Sequence, residues 1–108
     1  MPRYCKQDIN IKGVMFGTKF ASDLMANMPG PGGHIINFAS LGAVAPVSGV
    51  TLYIASKYAV RGFSLCASKD LAPLNLHVSC VCPDAVKTAM VDLQLHFEAS
   101  ALAYRYVQ

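Results

Sequence analysis

The sequence predicts an α/β fold laid out as helix, strand, helix, strand. Three observations carry that expectation. The short apolar runs His34–Ala39 and Asn75–Cys82 have the length of buried strands. The longer stretches Asp8–Asn27 and Thr51–Leu71 place apolar residues at helical spacing. The second of these connects the two strand-like runs, and a strand–helix–strand unit of this length returns the second strand parallel to the first by a right-handed crossover.

Taken in order, the first helix carries Ile9, Met15, Phe16, Phe20, Leu24 and Met25 as apolar positions, with Lys12, Lys19 and Asp23 on other faces. Asp8 suits its N-cap or first turn. Gly13 and Gly17 weaken this helix by roughly 1 kcal/mol each relative to Ala, and they let another backbone approach closely. Met28–Gly33 is a Pro/Gly turn. Ser40 ends the first strand, and Leu41–Val50 is a loop punctuated by Gly42, Pro46 and Gly49. The second helix stops near Pro73, because proline breaks a helix interior. Ala55, Ala59 and Gly62 give it a face of small side chains suited to packing on the sheet. After the second strand comes Pro83–Thr88, and Ala89–Ala101 is apolar enough for a short helix. There is no internal repeat and no low-complexity segment.

Chemistry concentrates at Tyr53-Ile54-Ala55-Ser56-Lys57. Residues four apart lie one helical turn apart on the same face. An ammonium beside a phenol favours the phenolate, so a Tyr/Lys pair is a proton donor or acceptor that can be tuned toward neutral pH. Alone, such a pair is an ordinary helix feature. Here Ser40 stands thirteen residues before Tyr53, at a strand's C-terminal end, where open α/β sheets place ligand chemistry.

With Ile36-Asn37-Phe38-Ala39-Ser40, the loop, and Tyr53-Ile54-Ala55-Ser56-Lys57-Tyr58-Ala59-Val60-Arg61-Gly62 together, the chain resembles the short-chain dehydrogenase/reductase family. The resemblance covers roughly Asn10 to Met90. It implies part of a Rossmann-type doubly wound parallel sheet and an NAD(P)-dependent oxidoreductase that moves hydride between a nicotinamide and a carbonyl or alcohol. It assigns Tyr53 as acid/base and, with Lys57, to cofactor binding, Lys57 at the nicotinamide ribose, Ser40 to the substrate oxygen, and Asn10 (in Asn10-Ile11-Lys12-Gly13) to a helix kink and a relay water. It places Pro83, Asp84, Val86 and Thr88 against the nicotinamide of NAD or NADP. The family usually has Gly where Asp84 stands. Gly serves where positive φ or close approach is needed, and Asp tolerates such turns better than most residues. The resemblance also implies a homo-oligomer formed through the helices at Asp8–Asn27 and Thr51–Leu71.

Composition sets limits. The chain has 108 residues, 54% of them hydrophobic and 14% charged, enough for one small domain. No formal charge occurs from Leu24 to Ser56. A membrane-spanning helix needs about 20 apolar residues, and the Pro and Gly residues cut this stretch into shorter pieces. Burial inside a larger protein, where parallel sheets are covered on both faces, explains it better. The net charge of +3 has no basic cluster, which excludes an evident nucleic-acid surface. The first residues lack an apolar signal core, so the expected location is cytoplasmic. Cys80 and Cys82 face one side of a strand and read as buried thiols. Cys5 and Cys66 complete no metal pattern, so no metal is expected. His34, His77 and His96 are read as surface or satisfied histidines.

Three features of the family are missing, one of them the Asn-Asn-Ala-Gly turn that usually supports the sheet. No Gly-rich turn follows a strand to cradle a dinucleotide pyrophosphate, because Gly30–Gly33 precedes a strand. The residue that separates NAD from NADP is not present either. Residues 1–108 therefore read as one partial domain, the catalytic half, in which two strands with open edges and uncovered faces predict marginal stability or self-association. The alternative is a catalytically inactive fragment, acting as an association module or surviving as a gene remnant. A chance Tyr/Lys/Ser coincidence in an unrelated α/β domain is the third reading.

Overall fold

The computed structural model describes residues 7–86. Thr88, the stretch Ala89–Ala101, Cys5 and His96 lie outside them. Two parallel strands form the sheet, β1 (Gly33–Phe38) and β2 (Leu76–Val81), in register from Gly33 opposite Leu76 to Phe38 opposite Val81. Helix α1 (Gly13–Asn27) precedes β1, and α2 (Thr51–Leu71) makes the crossover between the strands. The order is the expected one, and α2 has the expected bounds.

Strand alternation decides what is covered. Successive side chains point to opposite faces, so Ile35, Asn37, Ala39, Leu76 and Val78 are buried beneath the helices while His34, Ile36, Phe38, His77, Ser79 and Val81 are exposed. Among the described residues only one face of the sheet is covered. The other face is uncovered among these residues, as two strands without neighbours imply, because both helices pack on the same side. Ile35, Ala67 and Val78 form one core cluster with Met25, Phe63 and Leu71 around it. Ala39, Ala43 and Val60 form another, next to Val14, Cys80 and Cys82. Leu76 and Val60 are each 1% exposed, and full burial of such a side chain stabilises by about 1.5–3 kcal/mol.

The small face of α2 also differs from expectation. Ala55 and Gly62 are exposed, and the residues turned inward are Ile54, Ser56, Val60, Ser64 and Ala67. Among the described residues nothing lies near the open sides of Gly13, Gly17 or Gly62. The sequence pattern fails here because α2 is apolar on more than one side, and periodicity alone does not say which side meets the sheet.

A buried polar cluster ties three elements together. Asn37 Nδ2 of β1 donates to Thr18 Oγ1 of α1 at 3.2 Å and to Ser64 Oγ of α2 at 3.0 Å. Thr18 in turn donates to Asn37 Oδ1, and Ser64 donates to the Val60 carbonyl. Every buried side-chain polar atom described has a partner, as buried polar groups require.

The start of the first helix is not α-helical. Asp8–Lys12 is a π-turn, in which the Gly13 N–H bonds to the carbonyl of Asp8, five residues back. Asp8 sits in the first turn rather than at the cap and pairs with Lys12 at 2.6 Å. Before β1, Gly32 adopts φ +108°, and a Cβ there would run into the Asn75 carbonyl oxygen. Asn75 itself is left-handed at φ 55°, and its amide donates to the Pro31 carbonyl.

Cys80 and Cys82 are part-buried free thiols packed on the second cluster, as expected. Burial pushes the Cys80 thiol up, reinforced by Cys82 and opposed by a hydrogen bond from Ser64. An acid raised in the folded state stays protonated there while the unfolded chain ionises, so folding binds more protons. Stability from this group is complete below pH 9.0 and falls as pH rises beyond it. Melting curves taken across this range should show a decline that Cys80→Ala reduces.

Candidate active site

The site is assembled at the C-terminal end of the sheet. The Ala39 N–H bonds to the Val81 carbonyl at 2.8 Å, and the Leu41 N–H bonds to the Pro83 carbonyl at 2.8 Å. These bonds hold the exits of the two strands side by side, so Ser40 and Pro83 leave the sheet together. Ser40 caps a 3-10 turn, Leu41–Ala43, by accepting the Gly42 N–H at 3.2 Å. A Cβ on Gly42 would strike Ile54, so the glycine lets the loop lie against the first turn of α2.

Helix α2 begins at Thr51, which places Tyr53 and Lys57 in its first two turns. The Lys57 ammonium lies 5.7 Å from the centre of the Tyr53 ring and donates to the Phe38 carbonyl at 3.4 Å. Both side chains are half-buried. Lys57 is therefore turned toward the strand end rather than out to water. Arg61, one turn further on, donates to the Ala43 carbonyl at 3.2 Å and pins the loop to α2.

Asn10 arrives from the π-turn. Its Nδ2 donates to Ser56 Oγ at 3.1 Å, and Ser56 Oγ donates to the Tyr53 carbonyl at 2.7 Å. π-turns recur at functional positions in helices, and this one carries Asn10. Ser56 is fully buried. Sequence reasoning gave it no role, although it stands inside the Tyr/Lys motif. A small hydroxyl residue between two chemical residues was the available signal. Gln7 adds a second tie, donating to the Leu52 carbonyl at 3.1 Å.

Asn10, Tyr53 and Lys57 are thus joined through contacts, and Ser40 stands two residues beyond the carbonyl that holds Lys57. Pro83 is half-buried, whereas Asp84 and Val86 are exposed. Asp84 has no positive φ. Its carboxylate accepts the Ala85 N–H at 2.7 Å, so the turn there does not need the conformational freedom of glycine. Among the described residues no group of three or more His, Cys, Asp or Glu is placed to hold a metal, and no helix is long and apolar enough to cross a membrane. A surface depression lined by Met25, Met28 and Gly30–Gly33 lies at the opposite end of β1 and is not part of this site.

Residues 6–98 match the family model described as short chain dehydrogenase. The chain belongs to the short-chain dehydrogenase family. It is 39% identical over 89 residues to the short-chain dehydrogenase/reductase prx6 of Penicillium rubens, covering 78% of this chain and 28% of that protein. It is 34% identical over 84 residues to a diacetyl reductase, the (S)-acetoin forming enzyme, of Staphylococcus aureus, covering 78% of this chain and 32% of the relative. The solved structure of a short-chain dehydrogenase from Burkholderia cenocepacia in complex with NADP superposes with a TM-score of 0.71 at 28% identity, covering 82% of this chain and 36% of that one. The chain thus spans about a third of the length of the family members it matches, and its two strands and two helices are part of a Rossmann-type sheet.

Proposed function

We propose that this chain is the catalytic half of an NAD(P)-dependent short-chain oxidoreductase acting on a small carbonyl or alcohol substrate. The observation that carries the reading is the linkage Asn10–Ser56–Tyr53, with the Lys57 ammonium facing the Tyr53 ring at the strand ends. Tyr53 would give its hydroxyl proton to the substrate oxygen, or take it back in the reverse direction. Lys57 would offset the negative charge left on Tyr53 and hold a ribose hydroxyl. Ser40 would hydrogen-bond the substrate oxygen as charge builds there. Asn10 would orient a water that resupplies the proton.

The residues present fit the nicotinamide end of NAD or NADP. Lys57 supplies a cation at the strand ends, and the segment Pro83–Val86 leaves β2 with the apolar Val86 side chain exposed. Bound there, the nicotinamide supplies or accepts the hydride. Pro83, Asp84, Val86 and Thr88 would line it. The relatives are named as a reductase of diacetyl and as a dehydrogenase bound to NADP, which supports small-molecule redox chemistry. Residues 1–108 would then form one partial domain, working in the cytoplasm.

Titration of the 108-residue chain with NADH and NADPH, followed by nicotinamide fluorescence, tests this. Saturable binding is expected, and a flat response to both overturns the reading for this chain. Ser40→Ala separates structure from chemistry. It loses one turn-capping bond, worth about 0.5–1 kcal/mol, so the melting temperature should fall by only about 2–8 °C. Its turnover should fall by about 10²–10³, as when one donor to a developing oxyanion is removed.

A second reading rests on the outer faces of the helices. Phe16 is 70% exposed and Phe20 68%, beside the open Gly13 and Gly17, and Leu52 and Leu65 are exposed on α2. Such faces suit helix-to-helix association, whether in a homo-oligomer or in an inactive fragment that joins a complete family member. Mixing with a complete homologue should give co-elution, and separate elution would sink the association reading.

A further inference from the structure

The face of the sheet that is uncovered among the described residues carries a cluster that the oxidoreductase site does not use. His34 of β1 and His77 of β2 are directly paired across the strands. Both are exposed, and their rings stand edge to face with centres 6.1 Å apart. Ser79 lies two residues after His77, on the same face, and its hydroxyl is 2.8 Å from His34 Nε2. The pair sits at the N-terminal end of the sheet, about 20 Å along the strands from Ser40 at roughly 3.3 Å per residue.

We propose that His34 and His77 form a surface site for a divalent late transition-metal ion such as zinc, nickel or copper(II), with Ser79 fixing the His34 ring. Neutral imidazole is the commonest protein ligand for such ions. A zinc–imidazole bond is about 2.0–2.1 Å. Adding roughly 1.1 Å from nitrogen to ring centre puts two rings sharing one ion about 5–6.5 Å apart. The observed separation falls inside that range, and neighbouring strands hold both side chains at one level and on one face. Ligating histidines usually donate their other ring N–H to an outer partner, which sets the tautomer and the ring orientation. Ser79 is that partner for His34: when Nε2–H donates to the hydroxyl, Nδ1 carries the free lone pair.

With two protein ligands the remaining positions belong to water, so the ion exchanges readily. Among the described residues Cys80, the nearest thiol in sequence to Ser79, alternates to the helix-covered face and is only half-exposed there.

The experiment is titration of the full 108-residue chain with nickel(II), read by calorimetry and by paramagnetic broadening of histidine ring signals. One ion per chain is expected, with His34 and His77 broadened ahead of other residues. Removing a ligand should cost at least what removing an outer partner costs, roughly tenfold in affinity or more. His34→Gln and His77→Gln should each show that loss, and His96→Gln should not. Both histidines are exposed, so the variants should keep the native circular dichroism. Should a variant fail to fold, the broadening in the unaltered chain decides alone. Equal binding by the His34 and His77 variants, or first broadening at His96 or at the cysteine β-protons, overturns the site. Binding that persists in Tyr53→Phe separates this result from the oxidoreductase reading.

Discussion

Tyr53→Phe is expected to lower NAD(P)H-dependent carbonyl reduction by about 10²–10⁴-fold, the usual contribution of a positioned acid or base, while leaving cofactor binding and melting nearly unchanged. The substitution removes one hydroxyl and keeps the ring. That hydroxyl makes no hydrogen bond among the described residues, whereas the Tyr53 carbonyl, which receives Ser56, is untouched. The Lys57 ammonium still faces an aromatic ring at a distance where cation–π attraction operates. Fold and chemistry therefore separate at this position. The measurement is turnover beside nicotinamide fluorescence on the same sample. Retained turnover in Tyr53→Phe would remove Tyr53 from the chemistry. Parallel loss of turnover and binding would show a structural role instead.

Asn37→Ala is expected to have the largest effect on folding, about 2–3 kcal/mol. Asn37 is 8% exposed, and Thr18 and Ser64, its partners, are 4% and 1% exposed. Truncation leaves the Thr18 hydroxyl buried without a partner, which costs about 1–3 kcal/mol, and it opens a small cavity. Ser64 suffers less because it keeps the Val60 carbonyl. In a domain this small, about 4–8 °C of melting temperature go with each kcal/mol, so a drop of about 10 °C or more is expected. Thermal unfolding of Asn37→Ala beside Thr18→Val, which deletes the hydroxyl but keeps its volume, measures it. A melting temperature within about 2 °C of the parent for Asn37→Ala would show that the cluster is not a fastening.

How much of this was legible beforehand depended on the kind of signal. Helix α2 and its Tyr/Lys pair were readable because three things agreed: helical spacing, a proline stop and a motif with chemical meaning. The strands were readable from short apolar runs, each within one or two residues of its true ends. That two strands alone leave edges and a face uncovered was readable as well, but which face the helices take was not. Runs such as His34–Ala39 look apolar on both sides, and only the placement of both helices reveals that Ile36 and Phe38 are left outside. The fastening by Thr18, Asn37 and Ser64 was invisible for a related reason. Short polar side chains read as solvent-facing until three elements bring them together. At the candidate site, the sequence pattern points to Ser40, Tyr53, Lys57 and Asn10, whereas Ser56 contributes a contact between two segments far apart in sequence, which no local pattern shows.

The π-turn at Asp8–Lys12 has a consequence for phase. Residues four apart in an α-helix drift around the axis by about 40° per step. A packed row built on that spacing, such as Val14, Thr18 and Ser22, slides off its target when extended backward. A π-turn holds more residues than an α-turn, so each residue rotates the chain less. The drift is thereby cancelled for one step, and Asn10 stays in line with the row instead of slipping to the side. The turn acts as a vernier adjustment on the helix: one widened turn resets the angular count, so that a polar side chain keeps its aim at Ser56 while the apolar rows beyond it keep theirs.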